Sequence, residues 1–283
     1  MFRCIGIPIL SLVRIVQVAL VPSIFDGGVR NSGFSVYKSR AAQNLGSTAV
    51  VRLLTKRVIL NRDERMGFFA YYTADGYRAI GGTSNKGMIF LEWLREKLIR
   101  SDWGTMMKSL EGLETLTLFV LPFVAGKRFP FRDPFPRFAV VGDSPIHDWR
   151  HLVLASFEAV SFTLRAILDA LKDNGLTIAA LHISGGGTAI ERLVKTVANV
   201  LSTPVVVYSS EVSRYITALG TVVTALRALG YVNDISKVRF ESVEASWQRV
   251  IEPDRRLADY YRSKYEKFLA LVRYAKPLYR SLQ

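Results

Sequence analysis

Two short segments of this chain have the residue types needed to hold an anion against backbone amides. Ser184-Gly185-Gly186-Gly187-Thr188 follows an apolar, β-prone run and precedes a helical pattern. Three glycines at such a junction let the main chain approach a ligand with no Cβ in the way. The N-terminus of the following helix adds unsatisfied N–H groups and a positive dipole end. The segment is not a G-x-G-x-x-G fingerprint and lacks the Lys of a P-loop, which disfavours a dinucleotide fold and a P-loop NTPase. A ligand-free tight connection between strand and helix would use the same residues. The second segment, Gly46-Ser47-Thr48, joins two apolar runs and offers amides and two hydroxyls to phosphate oxygens at a hairpin tip. Gly-Ser is also an ordinary hairpin ending. Asp26 is a third candidate. It follows the apolar run 21–25 and precedes Gly27-Gly28, so a strand end could present its carboxylate to a cleft as a general base. An Asp-Gly turn or a helix cap is the alternative use of that residue.

Other chemistries find less support. Cys4 is the single cysteine, which excludes a disulfide framework and a Cys-based metal site and suits a reducing cytoplasm. His147 and His151 stand at i and i+4, the spacing of two metal ligands on a helix, but no third ligand accompanies them, so no metal site is expected. The excess of 38 Lys and Arg over 24 Asp and Glu gives a net charge of +14, compatible with anionic partners. The basic residues are scattered along helical stretches, notably 255–280, with no dense run and no nucleic-acid-binding signature, so no nucleic-acid partner is expected. The apolar start, 1–25, is interrupted by Arg3, Pro8, Arg14 and Pro22 and falls short of the roughly 18 to 20 apolar residues of a membrane span. No membrane association is expected.

The elements that must position these residues can be read from the apolar periodicity. Ala41–Leu45 and Ala49–Leu54 read as one hairpin, and Phe68–Tyr72 with Tyr77–Ile80, joined through Asp75-Gly76, as another. Leu91, Leu94 and Leu98 mark an amphipathic helix. The Pro-, Phe- and Gly-rich stretch from Leu121 to Arg137 reads as a loop. A long helix runs from His147 to Asn174 and ends at Gly175, placed for a left-handed C-cap. Strand 178–183, the glycine turn, helix 189–201, strand 204–208 and helix 213–229 follow. Antiparallel strands followed by alternating helices and strands give an α/β domain: a mixed five-stranded sheet flanked by helices, the order of the actin-like ATPase or ribonuclease H-like domain.

The motifs taken together resemble the C-terminal, nucleotide-binding domain of FGGY-family carbohydrate kinases. Asp26-Gly27-Gly28-Val29-Arg30-Asn31-Ser32-Gly33 resembles the family's segment with an Asp base ahead of Asn-x-Gly. Leu45-Gly46-Ser47-Thr48 resembles its Leu-Gly-Thr-Ser hairpin. Gly81-Gly82-Thr83-Ser84-Asn85-Lys86-Gly87 with Trp93-Leu94 is similar to gluconokinase-like members, and Leu121-Pro122 with Gly126-Lys127-Arg128 to the family's Leu-Pro-x-x-x-Gly-Glu-Arg loop, with one charge reversed. Ser184-Gly185-Gly186-Gly187 falls on the adenosine-binding turn and Glu211 on the segment that opens the next helix. The resemblance implies domain boundaries of 1–20 as an interdomain remnant and 21–283 as the actin-like domain.

It further implies Asp26 as the catalytic base and Gly46, Ser47, Thr48, Ser184, Gly185, Gly186, Gly187 and Glu211 as nucleotide-binding residues. ATP, Mg2+ and a sugar or sugar acid of the gluconate or xylulose kind would be the reactants, in the cytoplasm. The Asp-x-Gly-Thr phosphate loop of the family's N-terminal domain does not occur in this sequence, so catalysis is expected to need that half from a separately encoded chain. The domain face thereby left uncovered favours association, including a homo-oligomer. In the helix after the glycine turn, Ile190, Leu193, Lys195 and Asn199 replace the family's preferred residues, which keeps open a non-catalytic nucleotide-binding or remnant module of the same fold acting as a regulator or scaffold.

Overall fold

The computed structural model describes residues 33, 39–59, 68–84, 87–114, 117–124, 138–240 and 247–281. The proposed boundary at residue 20, Asp26 and its neighbours, Asn85-Lys86 and Gly126-Lys127-Arg128 all lie outside the described residues.

Both expected hairpins form. β1 (Arg40–Leu45) and β2 (Ala49–Thr55) pair antiparallel across Gly46–Thr48, and β3 (Phe69–Tyr72) pairs with β4 (Arg78–Ser84). The second turn needs Asp-Gly: Asp75 and Gly76 take φ of 56° and 74°, a left-handed backbone that these two residue types tolerate best. The Asp75 carboxylate is then fixed by Arg227 Nε at 2.6 Å and by the Ile235 amide at 2.8 Å.

A helical segment follows, α1 (Met88–Trp93), continued by a wider π-helical turn over Leu94–Ile99 and closed by Arg100 in the left-handed region. α2 is Trp103–Ser109, capped by the Asp102 side chain. The stretch expected to be a loop contributes its first residues to a strand: β5 (Phe119–Pro122) pairs with β6 (Phe138–Val141) in a small separate sheet. Pro122 is tolerated because it ends the strand. α3 (Trp149–Asp173) is held at its start by a capping box between Asp148 and His151, and Gly175, with φ of 74°, supplies the left-handed stop.

Then come β7 (Ala180–Ser184), α4 (Glu191–Leu201), β8 (Val205–Tyr208), α5 (Ser210–Ala228), β9 (Trp247–Ile251) and α6 (Ala258–Ser281). The main sheet runs β3-β4-β2-β1-β7-β8-β9, parallel only across β1/β7 and β7/β8. Against the expected five strands the sheet has seven: the four of the two hairpins, β7 and β8, all read from the sequence, and β9, added as an antiparallel edge.

Strand alternation divides the core between the two faces. Ala41, Leu45, Val51, Leu53, Ile183 and Val207 face a large cluster with α1, α3, α4 and α6, whereas Ala42, Leu54, Val206 and Tyr208 face the side covered by α5. α3 is central: Phe157, Val160, Leu164, Ile167 and Leu171 are fully enclosed, each contributing roughly 1.5–3 kcal/mol by burial. Among the described helices it is the one long and apolar enough to cross a membrane, and 89% of that apolar stretch is buried inside the fold.

Candidate functional site

The parallel pairing of β1 with β7 sets the site. Asn44 is the register partner of Ser184, so the hairpin tip after Leu45 and the glycine turn after Ser184 leave the sheet at the same edge. They touch. A Cβ on Gly185 would lie 2.6 Å from the Leu45 carbonyl oxygen, and one on Gly187 would lie 2.6 Å from Leu45 Cγ and 2.9 Å from Met88 Sδ. Gly185 also takes φ of 105° and ψ of 168°, a region open essentially to glycine alone. These two glycines are therefore explained by the close approach of the two turns.

Gly186 differs from them. A Cβ there would meet nothing within 4 Å. It faces a cavity of about 630 Å³ that is lined by Gly46 and Ser47 from the hairpin, Gly186 from the glycine turn, and Met88, Glu92 and Trp103 from α1 and α2. Met107, Ala189 and Ile190 complete the apolar wall. The volume suits a nucleotide-sized ligand.

The hairpin tip is held firmly. The Met88 amide donates to Gly46 O at 2.8 Å and the Ile89 amide to Ser47 O at 3.3 Å, so the first turn of α1 is capped by hairpin carbonyls. Gly87 makes this possible, because a Cβ there would sit 2.5 Å from Gly46 O.

Glu92 is the carboxylate in the cavity wall. Its Oε1 accepts from Trp103 Nε1 at 2.8 Å and its Oε2 from Arg95 Nε at 2.8 Å. Burial pushes the carboxyl up, but the hydrogen bonds from Arg95 and Trp103 outweigh it, and the group ends below its ordinary value. An ionised acceptor on one wall and backbone amides on the other would suit hydroxyl groups and phosphates respectively.

The helix after the glycine turn does not begin where the sequence suggests. A 3-10 turn over Gly186–Ala189 intervenes, with the Thr188 amide and hydroxyl both donating to Gly185 O at 3.1 and 2.8 Å. α4 starts only at Glu191, with Ile190 in the cap position. Glu191 bonds Lys195 Nζ and Arg249 Nη1, each at 2.8 Å, and these partners hold its carboxyl down to about 2. A negative charge thus occupies the first turn of α4, where a helix dipole would otherwise attract an anion.

The predicted residues therefore sort into groups. Gly46, Ser47 and Gly186 line one cavity. Thr48, Ser184, Gly185 and Gly187 build the wall behind it, with Thr48 O accepting from the Gly46 amide at 3.2 Å. Glu211 is exposed in the first turn of α5, two strands away from the hairpin and outside the cavity lining. Asp26 lies outside the described residues. The histidine pair at metal spacing is used in local structure: His151 closes the α3 capping box, and His147 Nδ1 lies 3.0 Å from the Ser144 amide. Among the described residues no group of three or more His, Cys, Asp or Glu could hold a metal ion.

Sequence reasoning missed Glu92, Trp103, Met107 and Ala189 as lining residues. Glu92 had one signal, a carboxylate on the helix directly after the second hairpin. Trp103 and Met107 reach the cavity through the packing of α2, and Ala189 through the 3-10 turn before α4, neither of which a local pattern announces.

Residues 41–229 match the description "FGGY family of carbohydrate kinases, C-terminal domain". A glycerol kinase from Pasteurella multocida is 28% identical over 186 residues, 65% of this chain and 35% of that protein. Two solved structures, a xylulose kinase and a gluconate kinase from Lactobacillus acidophilus, each superpose with a TM-score of 0.79. They are 21% and 22% identical to this chain, and each match covers 91% of this chain and 52% of the other. The chain thus spans about a third of the length of its curated relatives and about half of those structures. With residues 41–229 matched to its C-terminal domain, this chain belongs to the FGGY family of carbohydrate kinases.

Proposed function

We propose that the cavity between the β1/β2 hairpin and the glycine turn binds ATP, and that the chain is the nucleotide-binding half of an enzyme that phosphorylates a sugar or sugar acid. The observation that carries this reading is that Gly46, Ser47 and Gly186, from two turns 140 residues apart, line one cavity. The hairpin end, with its amides and the Ser47 hydroxyl, suits the phosphates. The end formed by Met107, Ala189 and Ile190 suits an apolar base, and Glu92 lies within reach as an acceptor for ribose hydroxyls.

Mg2+ fits this site through the nucleotide. Apart from Glu92, which Arg95 and Trp103 already occupy, the described residues lining the cavity offer the Ser47 hydroxyl and no second carboxylate. The ion would therefore be held chiefly by phosphate oxygens, as Mg2+ commonly is, and would supply charge neutralisation there. The chain's own contribution would be positioning: the rigid turns set Ser47 and the Gly186 backbone beside the phosphates, and the apolar wall keeps water from the base. Asp26 would take the proton from the attacking hydroxyl.

Phosphoryl transfer in this scheme requires a second domain closing over the cavity with an Asp-x-Gly-Thr loop. Such a reaction belongs in the cytoplasm; the motif resemblance points to gluconate or xylulose, and the glycerol kinase likeness adds glycerol as a third candidate substrate. Combining the chain with such a domain and measuring ADP release with gluconate, xylulose and glycerol tests the reading. Turnover that depends on a sugar and is lost in Asp26→Asn supports it, and no turnover with any of the three contradicts it.

The Glu191 carboxylate in the first turn of α4 favours a second reading, a nucleotide-binding module without turnover. In that case ATP binds but ADP release stays at background even with the second domain present.

A further inference from the structure

A second cavity opens on the far side of α4. It has a volume of about 490 Å³ and lies between α4, the turn after α2 and the start of α6, with Glu114, Arg192, Lys195, Leu257 and Tyr260 in its wall. None of its lining residues belongs to the nucleotide cavity.

The residues that α4 turns toward it form one stripe. Arg192, Lys195, Thr196 and Asn199 stand at i, i+3, i+4 and i+7, while Leu193, Val194, Val197 and Val200 occupy the buried face. Two of the four are tied back to the protein: Thr196 Oγ1 donates to Arg192 O at 2.8 Å, and Asn199 Oδ1 accepts from the Asp254 amide at 2.8 Å. The two cations retain donors. Arg192 spends one guanidinium N–H on Leu113 O at 2.8 Å, and Lys195, 56% exposed, pairs with Glu191 at 2.8 Å.

Opposite them stands the Tyr260 ring. It is set edge-on against Tyr261 at 5.1 Å, and its hydroxyl accepts from Lys264 Nζ at 3.0 Å, so it is a fixed, half-exposed aromatic wall. Glu114 is the one carboxylate among the residues lining the cavity. Two cations one turn apart, a guanidinium fork and a flat aromatic surface are the parts that recognise a dianion on a sugar-sized body.

We propose that this cavity is an effector site for a small phosphomonoester, with the phosphate on Arg192 and Lys195 and the body against Tyr260. Its coupling to the nucleotide cavity runs through Arg192. That residue lines both this cavity and a neighbouring one, also of about 490 Å³, which shares Met107 and Ala189 with the nucleotide cavity. A phosphate competes with Leu113 O for the guanidinium, which frees the turn after α2 from α4. The nucleotide cavity is walled by α2 itself, through Trp103 and Met107, and by Ile190, the residue that caps α4, so a shift of this turn against α4 moves that wall and the effector changes nucleotide affinity, and reciprocally.

Glucose 6-phosphate is a suitable probe, with glucose and inorganic phosphate as controls, titrated by calorimetry into the whole chain. Glucose 6-phosphate is expected to bind more tightly than either control. Lys195→Ala, on an exposed position, is expected to weaken that binding at least about tenfold with an unchanged Tm, because it removes a charged donor to phosphate. Tyr260→Ala should weaken it as well. Absence of binding, equal binding of glucose, or full affinity in Lys195→Ala overturns the site. The coupling is overturned if saturating glucose 6-phosphate leaves ATP affinity unchanged, or if the two ligands simply exclude each other and lose affinity equally in Lys195→Ala. Direct binding of the probe does not depend on the kinase reading. Failure of ATP to bind therefore counts against that reading alone.

Discussion

Asn44 and Ser184 are partners across the parallel β1/β7 ladder, and that register brings together two turns that are far apart in sequence. A slip of one residue would swap the faces of β1 and pull the hairpin tip away from the glycine turn. The three glycines of that turn consequently have different duties, and substitutions should separate them.

Gly186→Leu places a side chain in the cavity without meeting protein atoms at Cβ. Its Tm should stay within about 2 °C of the parent, as for a surface change, while ATP affinity falls at least about tenfold. Gly185→Ala should do the reverse in kind: a φ of 105° and a carbonyl 2.6 Å from the new Cβ predict a loss of about 2 kcal/mol or more in stability. Urea unfolding of both variants beside calorimetry checks the separation.

Lys264 and Glu158 form a buried ion pair at 2.5 Å between α6 and α3, with side chains 5% and 1% exposed. Removing one partner strands the other charge. Lys264→Met should therefore cost about 3–5 kcal/mol, whereas Lys264→Met with Glu158→Leu should recover most of it, since replacing both charges avoids an uncompensated ion. Equal destabilisation of the single and double variants in urea would refute this.

His182, on β7, lies with its Nδ1 2.6 Å from the Tyr208 hydroxyl. Burial, aided by the charge of Arg40, pulls the imidazole down to about 3. The unfolded chain binds a proton there below its ordinary pKa of about 6.5, and the folded chain does not until about 3. His182 therefore contributes stability that is fully present above about 6.5 and lost as pH falls toward 3. The urea midpoint should drop between pH 7.5 and 5, and His182→Gln, although less stable at neutral pH, should show a flatter profile over that range.

Gln43 is fully buried in β1, and neither amide atom has a hydrogen-bond partner among the described residues. Gln43→Met keeps the shape and removes the unpaired amide, so stability should rise by about 1–2 kcal/mol. An unchanged or lower urea midpoint would show that the amide is satisfied after all.

Much of the fold was legible because local chemistry and tertiary structure agree in it. Asp75-Gly76, Gly175 and the Gly46–Thr48 tip each mark a backbone conformation or reversal, and the structure uses each at that place. The long α3 was readable from its apolar period. β6 and β9 were not: Phe138–Val141 follows a Pro-rich stretch that reads as loop, and β9 exists because β8 offers it an edge. The same split holds for the site. Its two turns carry glycine signatures, but Glu92, Trp103 and Met107 come from helices whose approach to the turns depends on packing alone. The start of α4 was misread because the Gly186–Ala189 turn delays the helix, so Glu191 takes the position expected to face a phosphate.

The central claim is that this chain binds ATP between the hairpin and the glycine turn. Isothermal calorimetry of the whole chain with ATP and Mg2+, beside Gly186→Leu, tests it most directly. The account predicts one saturable site in the parent, weakened at least about tenfold in Gly186→Leu at unchanged Tm. No binding heat in the parent, or equal affinity in the two proteins, would contradict it.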